Sequence, residues 1–290
     1  MFKFWLFITL LFSLITLPIA AKQATVNSVM QQVDSSDWRV VEAQNILKIT
    51  LPTGAAYIEL NPLLAPTHTK NIKRLAREGF YNGLNIYRFV EGFVAQGGDA
   101  SGKKVPTQAK KSIPAEFYLT TKKPLAITEL DHNDGYAAIT GFLNGFAVAQ
   151  NQHKTQTWQV HCNGIFAMAR DNDINSGGTE FYVTIGHSPR YLDRNITVFG
   201  RVLEGMEHFN RLERKASGDT PFNLITDIQV LADISGQDNS QFKVMRTDSR
   251  VFKALIAARR NRSEAWFIAT PNYIDVCAMP IPTERVKLNL

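Results

Sequence analysis

The segment Tyr87-Arg88-Phe89-Val90-Glu91-Gly92-Phe93-Val94-Ala95-Gln96-Gly97-Gly98-Asp99 concentrates the residue types best suited to chemistry in this chain. Arg88 carries a guanidinium that stays protonated, so it can donate a hydrogen bond without giving up its proton. Phe93 offers an apolar wall, Gln96 a group that both donates and accepts, and Gly97-Gly98 a bend. A fixed positive donor suits the stabilisation of an atom that gains electron density. Each residue alone has a plainer reading. An arginine between strand residues is usually a surface charge, and a phenylalanine in a strand is usually core.

Other chemistry-like stretches fail on spacing. Gly97-Gly98-Asp99-Ala100-Ser101-Gly102-Lys103-Lys104 comes close to a phosphate-binding loop, but Lys104 stands where the magnesium-binding hydroxyl belongs and Val105-Pro106 starts a helix badly. Asp171-Asn172-Asp173-Ile174-Asn175-Ser176-Gly177 has its glycine out of place for a calcium loop and reads as a polar turn. His187-Ser188 lacks the elbow of a hydrolase nucleophile. His161-Cys162 with His153 does not complete a zinc set. No cofactor or metal is expected. Cys162 and Cys277 are the only cysteines, and they leave two options open: one long-range disulfide in an oxidising compartment, or two buried thiols.

The net charge of +6 is spread over short clusters such as Lys110-Lys111 and Arg259-Arg260, which read as solvated faces rather than a nucleic-acid patch. Lys3, the apolar run Phe4 to Ile19 and the small pair Ala20-Ala21 make the layout of a secretory signal peptide, with cleavage near Ala21. An uncleaved anchor is the other reading, and it is the only membrane contact expected.

The elements that must position the candidate residues follow from periodicity. Ile46 to Leu51 and Ala56 to Leu60 flank Pro52-Thr53-Gly54 as a hairpin. Thr67 to Glu78 reads as a helix capped by Thr67 or Thr69 and ended by Gly79. Asn85 to Val90, Gly92 to Gln96, Gly164 to Ala169, Glu180 to Ile185, Ile196 to Val202 and Ile225 to Leu231 read as strands, with a second helix over Leu203 to Arg211. A further helix should run from Asp248 or Ser249 to about Asn261.

Three separated motifs then occur in order. They are Tyr87 to Asp99; Gly164-Ile165-Phe166-Ala167-Met168-Ala169-Arg170; and Thr179-Glu180-Phe181-Tyr182 with Tyr191-Leu192-Asp193 and Val198 to Met206. Together they resemble the cyclophilin family of peptidyl-prolyl cis-trans isomerases, over about Ile46 to Ala232. The resemblance implies a mainly β fold, a closed eight-stranded antiparallel barrel capped by two helices. It implies Arg88, Phe93 and Gln96 as catalytic residues. Met168, Ala169, Arg170, Glu180, Tyr182, Tyr191, Leu192 and Ile196 are then implied to contact substrate, with Phe93, Met168, Tyr182 and Leu192 lining the proline slot. Glu180, Tyr182, Tyr191 and Ile196 depart from the glutamine, phenylalanine, tryptophan and histidine usual there, and Glu180 could pair with Arg88.

The organisation expected is a signal peptide (1–21), a loosely held polar lead-in (22–45), an isomerase domain (46–232) with a loop-rich insertion at about 106–160, and a C-terminal extension (233–290) packed on the barrel. The function expected is isomerisation of proline-containing polypeptides by a monomeric exported enzyme, periplasmic first, secreted or tethered second. A non-catalytic chaperone using the same groove is the alternative.

Overall fold

The computed structural model describes residues 24–214 and 222–287; the signal-peptide reading of 1–21 lies outside them. In chain order come α1 (Val26–Met30), β1 (Trp38–Val40), β2 (Ile46–Leu51), β3 (Gly54–Leu60), α2 (Pro66–Arg77), β4 (Asn85–Val90) and β5 (Val94–Gly98). The insertion contributes β6 (Leu119–Thr120), β7 (Thr128–Glu129), β8 (Ile139–Leu143), β9 (Phe146–Gln150) and β10 (Gln156–Gln159). Then follow β11 (Ile165–Met168), β12 (Phe181–Thr184), β13 (Val198–Glu204), α3 (Met206–Asn210), β14 (Asp227–Val230), β15 (Ser240–Met245), α4 (Arg250–Asn261) and β16 (Thr283–Lys287).

The main sheet has eight strands in the order β14-β2-β3-β13-β11-β12-β5-β4, antiparallel throughout. It is an open half-barrel that curls through 238°, not the closed barrel expected. Its two edge strands, β14 and β4, do not form a ladder. Residues 223–225 bridge the gap instead: Ile86 N donates to Asn223 O at 2.9 Å and Ile225 N to Leu84 O at 2.7 Å, around one Asn85–Leu224 bridge. Asn223 sits at φ 47°, so the chain turns out of extended geometry where a ladder would have to continue. Inside the curl, α2 buries Ile72, Leu75 and Ala76 and α3 buries Phe209 against Leu47, Ile49, Ile58, Phe166 and Phe181.

The start of α2 corrects the capping expectation. Ala65 occupies the N-cap and offers no side-chain oxygen. The cap arrives from the insertion: the Glu116 carboxylate accepts from Thr67 N and His68 N, both at 2.9 Å, and from His68 Nδ1 at 2.7 Å. A carboxylate there satisfies orphan N–H groups and meets the positive end of the helix dipole. Ser249 caps α4 as expected, its Oγ accepting from Phe252 N at 3.1 Å. The second helix is shorter than expected, because Leu203 and Glu204 continue β13.

The insertion is loop-rich as expected, with most of residues 106–160 outside strands, but its strands are organised. It folds as a five-stranded sheet, β6-β10-β9-β8-β7. Its centre is the β8–β9 hairpin, turned by Asn144 and Gly145 at φ 48° and 80°. Asn-Gly in this double left-handed conformation is the favoured two-residue hairpin turn. The lead-in is not loose: β1 pairs with β15, which pairs with β16, in a three-stranded sheet joining the lead-in to the C-terminal extension. One apolar cluster gathers Val29 of α1, Leu130, Phe142 and Trp158 of the insertion, Phe252 and Leu255 of α4, and Ile274 and Val276 of the tail. Cys162 and Cys277 form a disulfide spanning 115 residues of sequence, which rules out the two-thiol reading.

Candidate active site

Strand alternation decides which residues share the outer face of the half-barrel. Arg88 lies opposite Gln96, Gln96 opposite Tyr182, Tyr182 opposite Ala167 and Ala167 opposite Val198. These pairings draw one row across five adjacent strands, all pointing away from the α2 core. Arg88 is exposed, and its Nη1 donates to Gln96 Oε1 at 3.2 Å. Gln96 Nε2 in turn donates to Tyr87 Oη at 2.6 Å. The guanidinium and the amide are therefore preset as a pair, with most of the arginine facing solvent.

On the Gln96 side of this pair opens a cavity of about 410 Å3, which Arg88, Phe93, Tyr182 and Leu192 do not line. Four residues expected at the site line it, Gln96, Ala169, Arg170 and Glu180, together with Tyr87 and Lys104. Phe93, Ala169 and Ile196 pack at the edge of the outer-face cluster that contains Tyr182, Ala167 and Val198. Tyr191, 62% exposed, and the half-buried Leu192 belong to a short 3-10 turn on that side. Met168 does not join them. One residue along from Ala167 on β11, it points into the barrel interior, 2% exposed among Phe166 and Phe181. The motif places Met168 correctly in sequence, but the two-residue period of the strand turns it away from the expected slot.

Arg170 is a brace for loops. Its guanidinium donates to Asn195 O at 3.0 and 2.9 Å and to Asp171 O at 2.6 Å, and lies 5.6 Å from the centre of the Phe117 ring.

Glu180 does not pair with Arg88. Its Oε1 accepts from Asp99 N at 2.6 Å. Burial is the largest influence on the Glu180 carboxyl and pushes its pKa up, against the opposing pull of the Tyr87 hydroxyl and the Asp99 N–H. The native state thus holds the Glu180 proton more tightly than the unfolded chain, and ionised Glu180 costs stability. That cost is complete above the raised pKa and vanishes below the ordinary glutamate value of 4.5. Glu180→Gln keeps the acceptor for Asp99 and removes the charge. At neutral pH its Tm should rise, and the gain should disappear in melts run below the glutamate range. A constant gain at every pH would break the assignment.

Tyr182 is 5% exposed, and its hydroxyl finds the partner that burial demands. It shares a hydrogen bond of 3.0 Å with His161 Nε2. His161 Nδ1 lies 2.9 Å from Asp193 Oδ1, and a carboxylate can only accept, so Nδ1 carries the proton. Asp193 also accepts from Arg190 Nε at 2.7 Å, and Arg190 Nη2 donates to Asp134 of the insertion at 2.9 Å. Burial alone would raise the Asp193 pKa; the hydrogen bond from His161 and the charge of Arg190 outweigh it and hold the carboxyl below its usual range. The network ties the Tyr182 ring to the 190–193 turn and to the insertion. Sequence reasoning missed His161, Arg190 and Asp193 as support for the site. Partners 21 and 32 residues from His161 leave no local pattern. Ala167 and Val198, by contrast, could be found by counting alternate positions across the paired strands.

No group of three or more His, Cys, Asp or Glu is arranged to hold a metal among the described residues.

Comparison with known proteins places this geometry. The family model for cyclophilin type peptidyl-prolyl cis-trans isomerases matches residues 46–231. A probable peptidyl-prolyl cis-trans isomerase of Brucella suis is 26% identical over 189 residues, covering 61% of this chain and 76% of that protein. Peptidyl-prolyl cis-trans isomerase-like 3 of Mus musculus is 24% identical over 186 residues, covering 63% of this chain and 92% of that protein. The crystal structure of the cyclophilin AquaCyp293 from Hirschia baltica superposes with a TM-score of 0.72 at 28% identity, covering 92% of this chain and 99% of that one. That likeness extends beyond the span matched by the family model.

Proposed function

This chain belongs to the cyclophilin-type peptidyl-prolyl cis-trans isomerase family, and from that premise we propose that Arg88 drives the isomerisation and that the substrates are exported polypeptides. The peptide bond resists rotation by roughly 18–20 kcal/mol because of its partial double-bond character. At the twisted midpoint the prolyl nitrogen is pyramidal and recovers its lone pair. A guanidinium aimed at that nitrogen favours the twisted form over either planar one. The observation that carries this reading is the Arg88–Gln96 pair, 3.2 Å apart on adjacent strands beside a cavity. Gln96 orients the guanidinium, and a substrate backbone takes the remaining amide valences. Tyr182, Phe93 and Leu192 take the proline ring. A ten-thousand-fold acceleration needs only about 5.4 kcal/mol of preference for the transition state.

Two features support work on exported chains. One is the signal-like layout of residues 1–21. The other is the Cys162–Cys277 disulfide, a bond that persists in oxidising compartments.

The test joins two measurements. Protein recovered from an expressing bacterium is sequenced from its N-terminus and added to the refolding of a secreted protein whose slow phase is limited by proline. A mature start at Lys22 in the periplasmic fraction, with a faster slow phase, agrees with the proposal. Recovery from the cytoplasm with the apolar run intact removes the export half. An unchanged slow phase removes the folding half.

A further inference from the structure

The two most exposed large apolar side chains among the described residues are Trp266, at 83%, and Ile268, at 105%. They sit on one loop, with Phe267 between them, just after α4 ends at Arg262 in the left-handed conformation. Trp266 and Phe267 pack edge to face at 5.0 Å, and the Arg262 guanidinium lies 5.4 Å from the Phe267 ring. The tip is thus organised by its own residues while Trp266 and Ile268 stay in water. Two exposed side chains of this size flanking a half-buried phenylalanine make a contiguous apolar patch, the mark of an interaction surface.

What faces that surface follows from where the rest of the chain leaves the fold. Ser263 Oγ donates to Ala24 O at 3.1 Å, and Val26 N donates to Glu264 Oε1 at 3.4 Å. The first described residue therefore lies at the base of the loop. The apolar run Phe4 to Ile19 ends five residues before Ala24. Five residues span at most about 18 Å, so a retained run holds the loop at the bilayer surface. Arg259, Arg260 and Arg262 stand at the foot of the loop, answered only in part by Glu264 and by Asp131, which pairs with Arg260 at 2.5 Å. The whole chain carries +6. Tryptophan favours the boundary between headgroups and acyl chains, and flanking arginines favour anionic headgroups.

We infer that this pole is a membrane-docking surface, on which Trp266, Phe267 and Ile268 enter the interface of an anionic bilayer while the active site stays in water. The inference does not rest on the mechanism assigned to Arg88. The test uses the full chain as isolated from expressing cells, mixed with vesicles of phosphatidylcholine with or without phosphatidylglycerol, both carrying brominated acyl chains. Subtracting the emission of Trp266→Phe from wild type isolates the Trp266 signal. That signal should shift to the blue and be quenched on phosphatidylglycerol vesicles, and Ile268→Asp should abolish the response. Unchanged isomerase activity in both variants reports intact folding. No shift, or an equal shift on uncharged vesicles, overturns the inference. A shift produced only by a reduced and alkylated unfolded polypeptide also overturns it, and makes the loop a client-binding surface.

Discussion

Replacing Arg88 by alanine should lower kcat/KM on a proline-containing test peptide by about 100- to 1000-fold, the usual loss when one preset donor to a transition state is removed. The fold should hardly notice. Arg88 is exposed and its side chain bonds to Gln96 at the rim, so stability should change by no more than about 0.5 kcal/mol. Arg88→Lys sharpens the test: it keeps the positive charge but loses the planar fork that bonds Gln96 and a substrate together. Its activity should recover only in part. Full activity in the alanine variant, with Tm unchanged, would show that rotation is catalysed by the apolar walls alone and would end the role given to the guanidinium.

The second large effect concerns stability. Replacing both Cys162 and Cys277 by serine should cost about 5 kcal/mol, the value expected when a closed loop of 115 residues is opened in the unfolded chain. Tm should fall by roughly 10 °C at 2–4 °C per kcal/mol. The loss should begin locally. Ile274, Val276 and Met279 of the tail are buried against the insertion and the outer face of the half-barrel, and the disulfide pins that layer to the strand entering β11. Hydrogen exchange should therefore rise first over residues 263–282. A matching mass but unchanged melting curve in the double variant would show that the apolar layer alone holds the tail.

How legible was all this beforehand? The strands around the site were legible because their signal is local: short β-branched and aromatic runs cut by glycines. β2, β3, β4, β11, β12, β13 and β14 all lie where alternation puts them. The Asn144-Gly145 hairpin carried an equally local signal, an Asn-Gly turn between two apolar runs. The cap on α2 was not legible, since Glu116 stands 48 residues from His68 and nothing near Ala65 announces it. The orientation of Met168 fell between these cases. Its motif fixed its place along the chain, but the face it presents depends on a register shared with β12 and β13.

By itself, the amino-acid order determined the family motifs and most of the strands that hold them, because a motif and a two-residue period are properties of neighbours along the chain. Only the tertiary structure decided that the half-barrel stays open, that lead-in, insertion and tail share one core, and that His161 stands behind Tyr182. Those outcomes depend on contacts between segments tens to hundreds of residues apart, where the packing of many apolar groups selects one arrangement and no single stretch encodes it.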